Sequence, residues 1–199
     1  AAHAIGDAAN RAVLNAIEHS PRPALSLLPD RIEHVQILHA DDVPRLSKLG
    51  VVASMQPIHA TSDMDMAERY WGRRCDLAYA WRSVLENGAG LAFGSDCPVE
   101  TLDPLAGIHA AVTRRRADGS PGPQGWIPEQ RLTVEQAVHA YTLGAAHASG
   151  EADLKGSLLP GKLADLVVLS HDIFDIEPME ILDTHVEMTV FDGRVVYEA

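Results

Sequence analysis

The sequence predicts an α/β chain, with βα units over most of its length and a small β element at its end. Three observations lead there. Short apolar runs alternate with amphipathic stretches, the pattern of repeated βα units. The periodicity changes beyond Gly156. Asp192-Gly193, set between strand-like residues 187–191 and 194–197, is the strongest short hairpin signal.

In chain order, residues 7–19 carry Ala8, Ala12, Val13, Ala16 and Ile17 at helical spacing, and Ser20-Pro21 stops that helix. Residues 31–37 read as a strand at least as far as His34. Asp41-Asp42-Val43-Pro44 opens a second helix, with acidic residues at its start and Gly50 just past its end. Residues 51–55 form the next strand, stopped by Pro57. The polar stretch 59–76 reads as a long loop, and long loops often carry function. Residues 79–85 read as a helix ended by Asn87-Gly88, and 91–93 as a strand running into Gly94-Ser95-Asp96. A helix over 104–114 and an irregular exposed loop over 119–125 follow. Thr133 and Gln136 form a capping box for a helix reaching about His147, and 166–169 reads as a buried strand.

Composition narrows the function. The 199 residues include 16 basic and 28 acidic side chains, a net charge of −12. Such a balance argues against nucleic acid as a partner, because phosphate binding needs clustered Lys and Arg. The one basic run, Arg114-Arg115-Arg116, is too short to reverse this and reads as a solvated helix end. With 46% hydrophobic residues the chain can bury an ordinary core in one or two domains. Cys75 and Cys97 form no CxxC pair, which indicates neither a disulfide framework nor a thiolate zinc site and leaves a reducing, cytoplasmic setting as the default. The apolar runs are all shorter than the roughly 18 residues of a membrane span, so no membrane association is expected.

Three positions stand out for chemistry. His34 and Asp96 each sit where a predicted strand gives way to its loop, and His3 precedes a helix in the same manner. In a parallel (β/α) barrel such strand ends converge on one face, so distant residues can share a metal. Two imidazoles and a carboxylate suit zinc, manganese or iron. A carboxylate at the last strand could also take a proton from metal-bound water, whose pKa the metal lowers. The ordinary roles remain open: a histidine is commonly a packed or capping residue, and Asp96 could simply cap its turn.

Five segments occur in order: HAIGDAA from His3, RIEH from Arg31, MQPIH from Met55, FGSDCPV from Phe93 and KGSLLPGKLADLVVL from Lys155. Together they resemble the metal-dependent amidohydrolase superfamily, in the family 3 branch that holds N-substituted formamide deformylases. The resemblance implies the C-terminal half of a (β/α)8 TIM-type barrel over 1–150, from the end of strand five through strand eight, then a β element over 151–199. It implies His3, His34 and Asp96 as metal ligands, with Asp96 also the catalytic proton shuttle. His59 and Arg74 would line the substrate pocket, although both could equally be solvated loop residues. The implied cofactor is a divalent metal, zinc first, with one or two ions in the intact enzyme. Cys97 would be a small buried filler, and Trp71, Trp81 and Trp126 packing or pocket wall.

The departures matter too. The family's His-x-His at the first barrel strand and its bridging carboxylated Lys or carboxylate at the fourth have no counterpart here. Lys48, Lys155 and Lys162 are not placed to bridge metals. The expectation is therefore a C-terminal portion of a metal-dependent hydrolase of amide, formamide or cyclic amide C–N bonds acting on a small molecule. A non-catalytic fragment that needs its N-terminal segment or a homo-oligomeric partner is the alternative. Ester or lactone hydrolysis by the same machinery is another, which matched amide and ester substrates would separate.

Overall fold

The computed structural model describes residues 1–20 and 28–199. Four short strands, β1 (Ala2–Ala4), β2 (Arg31–His34), β3 (Val52–Met55) and β4 (Gly90–Phe93), form one sheet in chain order, every neighbouring pair parallel. Their centres are apolar on both faces, as expected of parallel strands buried on both sides. Ile32, Val52, Ala53, Met55, Leu91 and Phe93 are all buried.

Helix α1 (Asp7–His19) links β1 towards β2, buries Leu14 and ends at Ser20 as the periodicity predicts. The predicted stop at Pro21 lies outside the described residues. A 3-10 turn (Ala40–Asp42) leads into α2 (Val43–Leu49), which has Pro44 in its first turn. Gly50 closes α2 at φ 62°, the left-handed cap that glycine adopts without a Cβ clash. The chain then enters β3.

The stretch 59–76, expected to be a loop, is helical. Helix α3 (Pro57–Trp71) begins at the proline that was read as a strand stop, followed by a 3-10 turn (Gly72–Leu77). Proline at the first helical position gives up no hydrogen bond. Ala60, Met64 and Ala67 bury one stripe of α3 at helical spacing, while its Ser, Asp, Glu and Arg residues make the overall composition look loop-like. Helix α4 (Trp81–Glu86) starts two positions later than predicted because Tyr79 takes φ 51°.

Past β4, α5 (Pro104–Thr113) is capped by Asp103, whose side chain accepts from the Leu105 amide. The capping box at Thr133 and Gln136 opens α6 (Val134–His139), which continues through a π turn (Ala140–Gly144) into α7 (Ala145–Ala148). The turn brings the chain close to β4: a Cβ on Gly144 would lie 2.3 Å from the Leu91 carbonyl oxygen. Gly144→Ala is therefore expected to lower stability by about 1–3 kcal/mol through overpacking against backbone. A thermal melt of the variant that matches the parent would contradict this.

A second sheet holds β5 (Leu166–Leu169), β6 (Val186–Phe191) and β7 (Arg194–Glu198), antiparallel and in chain order, with the predicted Asp192-Gly193 hairpin between the last two. Strand β5 is not buried as expected. It is an edge strand, and Val167 and Val168 are 53% and 42% exposed. Among the described residues no helix is long and apolar enough to cross a membrane.

The arginine run is also corrected. Arg114 is fully buried, caps α5 in a left-handed conformation, and stacks its guanidinium over Trp81 and Trp126 at 4.6 and 5.1 Å. Arg115 donates to the Gly119 carbonyl, and Arg116 pairs with Asp65. Trp81 and Trp126 are core residues, and Trp71 packs against the core edge.

Buried His109, between Thr113 and the Met179 sulfur, has its pKa lowered from 6.5 to about 4 by desolvation, with Arg115 adding to the effect. A histidine depressed in the folded state leaves stability complete above 6.5 and loses it as pH falls from 6.5 towards 4. By linkage the loss is about 3 kcal/mol. Urea midpoints measured across that window should fall for the parent and stay flatter for His109→Gln; equal slopes would refute the assignment.

Candidate metal centre

Successive segments bring imidazoles and a carboxylate to the C-terminal ends of the parallel strands. His3 lies on β1, His34 ends β2, His59 follows β3 in the first turn of α3, and Asp96 stands just past β4. Thus His59 is on a helix, not a loop, and it is only 6% exposed.

The backbone turns two of these side chains out of their strand paths. His34 has φ 79° and Asp96 φ 57°, left-handed conformations that cost non-glycine residues about 1–3 kcal/mol and persist only where neighbours enforce them. Behind His34 the enforcement is visible. The Val35 amide donates to Ala4 O at 3.0 Å and the Ile37 amide to Ile5 O at 2.9 Å, tying the exit of β2 to β1.

His34 Nδ1 lies 3.1 Å from Gln56 Oε1, so Nδ1 donates and Nε2 carries the lone pair. His3 Nδ1 reaches that Nε2 at 2.8 Å. On the other side, His59 Nε2 is 3.2 Å from Asp96 Oδ2, and His59 Nδ1 faces Glu100 Oε1 at 3.5 Å. The His34 and His59 ring centroids are 6.1 Å apart. One ligand atom from each of His34, His59 and Asp96 falls within 4.8 Å of the others. A tetrahedral zinc with bonds of about 2.1 Å spaces its ligand atoms by roughly 3.4 Å. The donor set, nitrogen with a hard oxygen in a half-buried recess, therefore fits a divalent cation.

Of the residues singled out from sequence, His34 and Asp96 converge, and His3 is hydrogen-bonded to His34. Arg74 instead grips Asp7 with two hydrogen bonds, Nε to Oδ2 at 3.1 Å and Nη2 to Oδ1 at 2.5 Å. That guanidinium holds the Asp7 carboxyl below the ordinary carboxylate range. Cys97 is exposed rather than a buried filler, because the turn after Asp96 points it outward; the buried cysteine is Cys75, whose thiol burial pushes up. Gln56 and Glu100 were missed. Both sit inside or beside the motif segments, Gln56 before Pro57 and Glu100 after the GSDCPV stretch, and that adjacency was the available signal.

Known proteins match this chain over nearly its whole length. Residues 1–197 match the amidohydrolase family. A Bacillus subtilis (strain 168) protein named as an amidohydrolase, YtcJ, is 36% identical over 200 residues, which cover 100% of this chain and 37% of that protein. The N-substituted formamide deformylase of Arthrobacter pascens is 30% identical over 200 residues, covering 100% of this chain and 36% of the enzyme. Among solved structures, an uncharacterized metal-dependent hydrolase from Pyrococcus horikoshii OT3 superimposes with a TM-score of 0.75 at 32% identity, over 89% of this chain and 35% of that one. The chain thus spans little more than a third of the length of the relatives it matches.

Proposed function

This chain belongs to the amidohydrolase family, and on that premise we propose that it supplies part of the active site of a metal-dependent hydrolase of C–N bonds. The observation that carries the reading is the meeting of His34 and Asp96, with His3 alongside, at the ends of parallel strands of one sheet. The reading includes architecture: residues 1–150 as the end of strand five through strand eight of a (β/α)8 barrel, and 151–199 as the accompanying β element.

His3 and His34 would hold a divalent cation, zinc in the first instance, with Asp96. When bound, such an ion supplies Lewis acidity, lowering the pKa of a water and polarising a carbonyl. Asp96 Oδ2 takes the proton from the attacking water as its oxygen bonds to the carbonyl carbon. The same carboxyl then returns the proton to the leaving nitrogen as the C–N bond breaks. Asp96 is suited to this because its side chain is 35% exposed, open to substrate on one side and held by His59 on the other. Arg74 and Asp7, joined past the end of β1, border the substrate.

Metal analysis of the intact protein, with and without His34→Ala, tests the reading. The expected result is a bound divalent ion in the parent, at least tenfold depletion in the variant, and a parallel loss of amide or formamide turnover. Unchanged metal content and turnover in His34→Ala would overturn it.

A further inference from the structure

The geometry points to His59 as a ligand of the same cation, oriented for that task by Glu100, rather than as a substrate contact. This rests on the metal-dependent reading above and adds to it a ligand and the residue that aims it. His59 has a carboxylate oxygen at each ring nitrogen: Glu100 Oε1 at 3.5 Å from Nδ1 and Asp96 Oδ2 at 3.2 Å from Nε2. A neutral imidazole carries one N–H and can satisfy only one of these oxygens. Nε2 to Asp96 Oδ2 is the contact with hydrogen-bond geometry; a cation taken up between those two atoms displaces that hydrogen bond, leaving the N–H on Nδ1, towards Glu100, and the Nε2 lone pair facing the Asp96 carboxylate. Two electron-pair donors facing each other in a half-buried recess form a place for a cation.

His34 repeats the design. Its Nδ1 is backed by Gln56 Oε1, and its remaining nitrogen turns towards the cluster. Metal-binding histidines commonly donate their second N–H to a carboxylate or carbonyl oxygen, which sets the tautomer and ring orientation. Both imidazoles have such a backing oxygen, and both backing residues are well shielded: Gln56 is 7% exposed and the Glu100 side chain 21%. Helix α3 fixes the direction of approach, because Pro57 starts the helix and puts His59 in its first turn, facing the sheet end. Glu100 is then a positioning residue: it touches His59 and sets which nitrogen looks at the metal.

The test uses the intact protein, stripped of metal and titrated with Zn²⁺, and separately loaded with Co²⁺ for its visible spectrum. His59→Ala should weaken Zn²⁺ binding at least tenfold and change the Co²⁺ ligand-field bands, reporting a lost nitrogen ligand. Glu100→Ala should weaken binding by about 10–100-fold, the usual effect of removing such a backing group, and Glu100→Gln should restore part of it because the amide oxygen can still accept. A His59→Ala protein with unchanged Zn²⁺ affinity and Co²⁺ spectrum but a raised KM would overturn the inference and return His59 to the substrate pocket. That result leaves the hydrolase reading intact, whereas loss of metal dependence altogether, with His34→Ala also neutral, is the failure of that reading. If His59→Ala does not fold, Glu100→Ala decides: tenfold weaker Zn²⁺ binding supports the assignment and unchanged binding overturns it.

Discussion

Asp96→Asn in the intact protein is expected to lower kcat for an amide or formamide substrate by about 10²–10⁴-fold, the range seen when a positioned general acid–base group is removed. Asparagine keeps the shape and can still coordinate weakly through its oxygen, but it cannot accept the water proton or return one to nitrogen. The backbone conformation favours this substitution as a clean probe, because Asn tolerates the left-handed φ of 57° that Asp96 adopts. Circular dichroism should therefore be unchanged. Stopped assays under saturating substrate, with the metal content measured on the same samples, separate the two roles of the residue. A variant that keeps its metal and loses less than tenfold in kcat would remove Asp96 from proton transfer.

Arg114→Ala is expected to destabilise the protein by about 4 kcal/mol or more, measured as the shift in urea unfolding. The guanidinium donates to three backbone carbonyls: Trp126, Tyr79 at 2.9 Å and Ala78 at 3.2 Å. Removing it strands the Trp126 and Ala78 oxygens in the core, at about 1–3 kcal/mol each for a buried unsatisfied group, leaves Tyr79 O with the Trp81 amide alone, and opens a cavity between two indoles. Burial pulls the group's pKa below that of a free guanidinium, and it stays charged at neutral pH. Arg114→Lys should recover less than half of the loss, since an ammonium cannot match the planar fork or stack between Trp81 and Trp126. A lysine variant as stable as the parent would show that charge alone, without shape, accounts for the site.

These two residues mark how far local pattern carries. Asp96 was legible because it sits in a compact motif where a strand ends and a turn begins, and its neighbours in sequence are its context. Arg114 was not. Its environment is assembled from Ala78, Tyr79, Trp81 and Trp126, which lie between 12 and 36 residues away along the chain, so an Arg-Arg-Arg run on its own resembles a solvated helix end. Helix α3 was hidden for a different reason. Its buried stripe of Ala60, Met64 and Ala67 is narrow and made partly of small residues, and the polar face dominated the count. The exposure of β5 follows from its place at a sheet edge, which no apolar run of four residues can announce.

Helix caps, the Asp192-Gly193 turn and the alternation of strands and helices are short-range matters, decided within a few residues by backbone sterics and capping, and the sequence alone sufficed for them. The nearness of His34 to His3 and to Asp96 was readable as well, through the ordered motifs. The partners of those groups were settled by tertiary structure. His59 meets Asp96 because β3 and β4 pair in parallel with Met55 opposite Phe93, and a slip of two residues would move the two side chains about 6–7 Å apart. Gln56 and Glu100 reach the imidazoles for the same reason. Contact across such sequence distances depends on strand register and helix placement, which arise from packing the whole core.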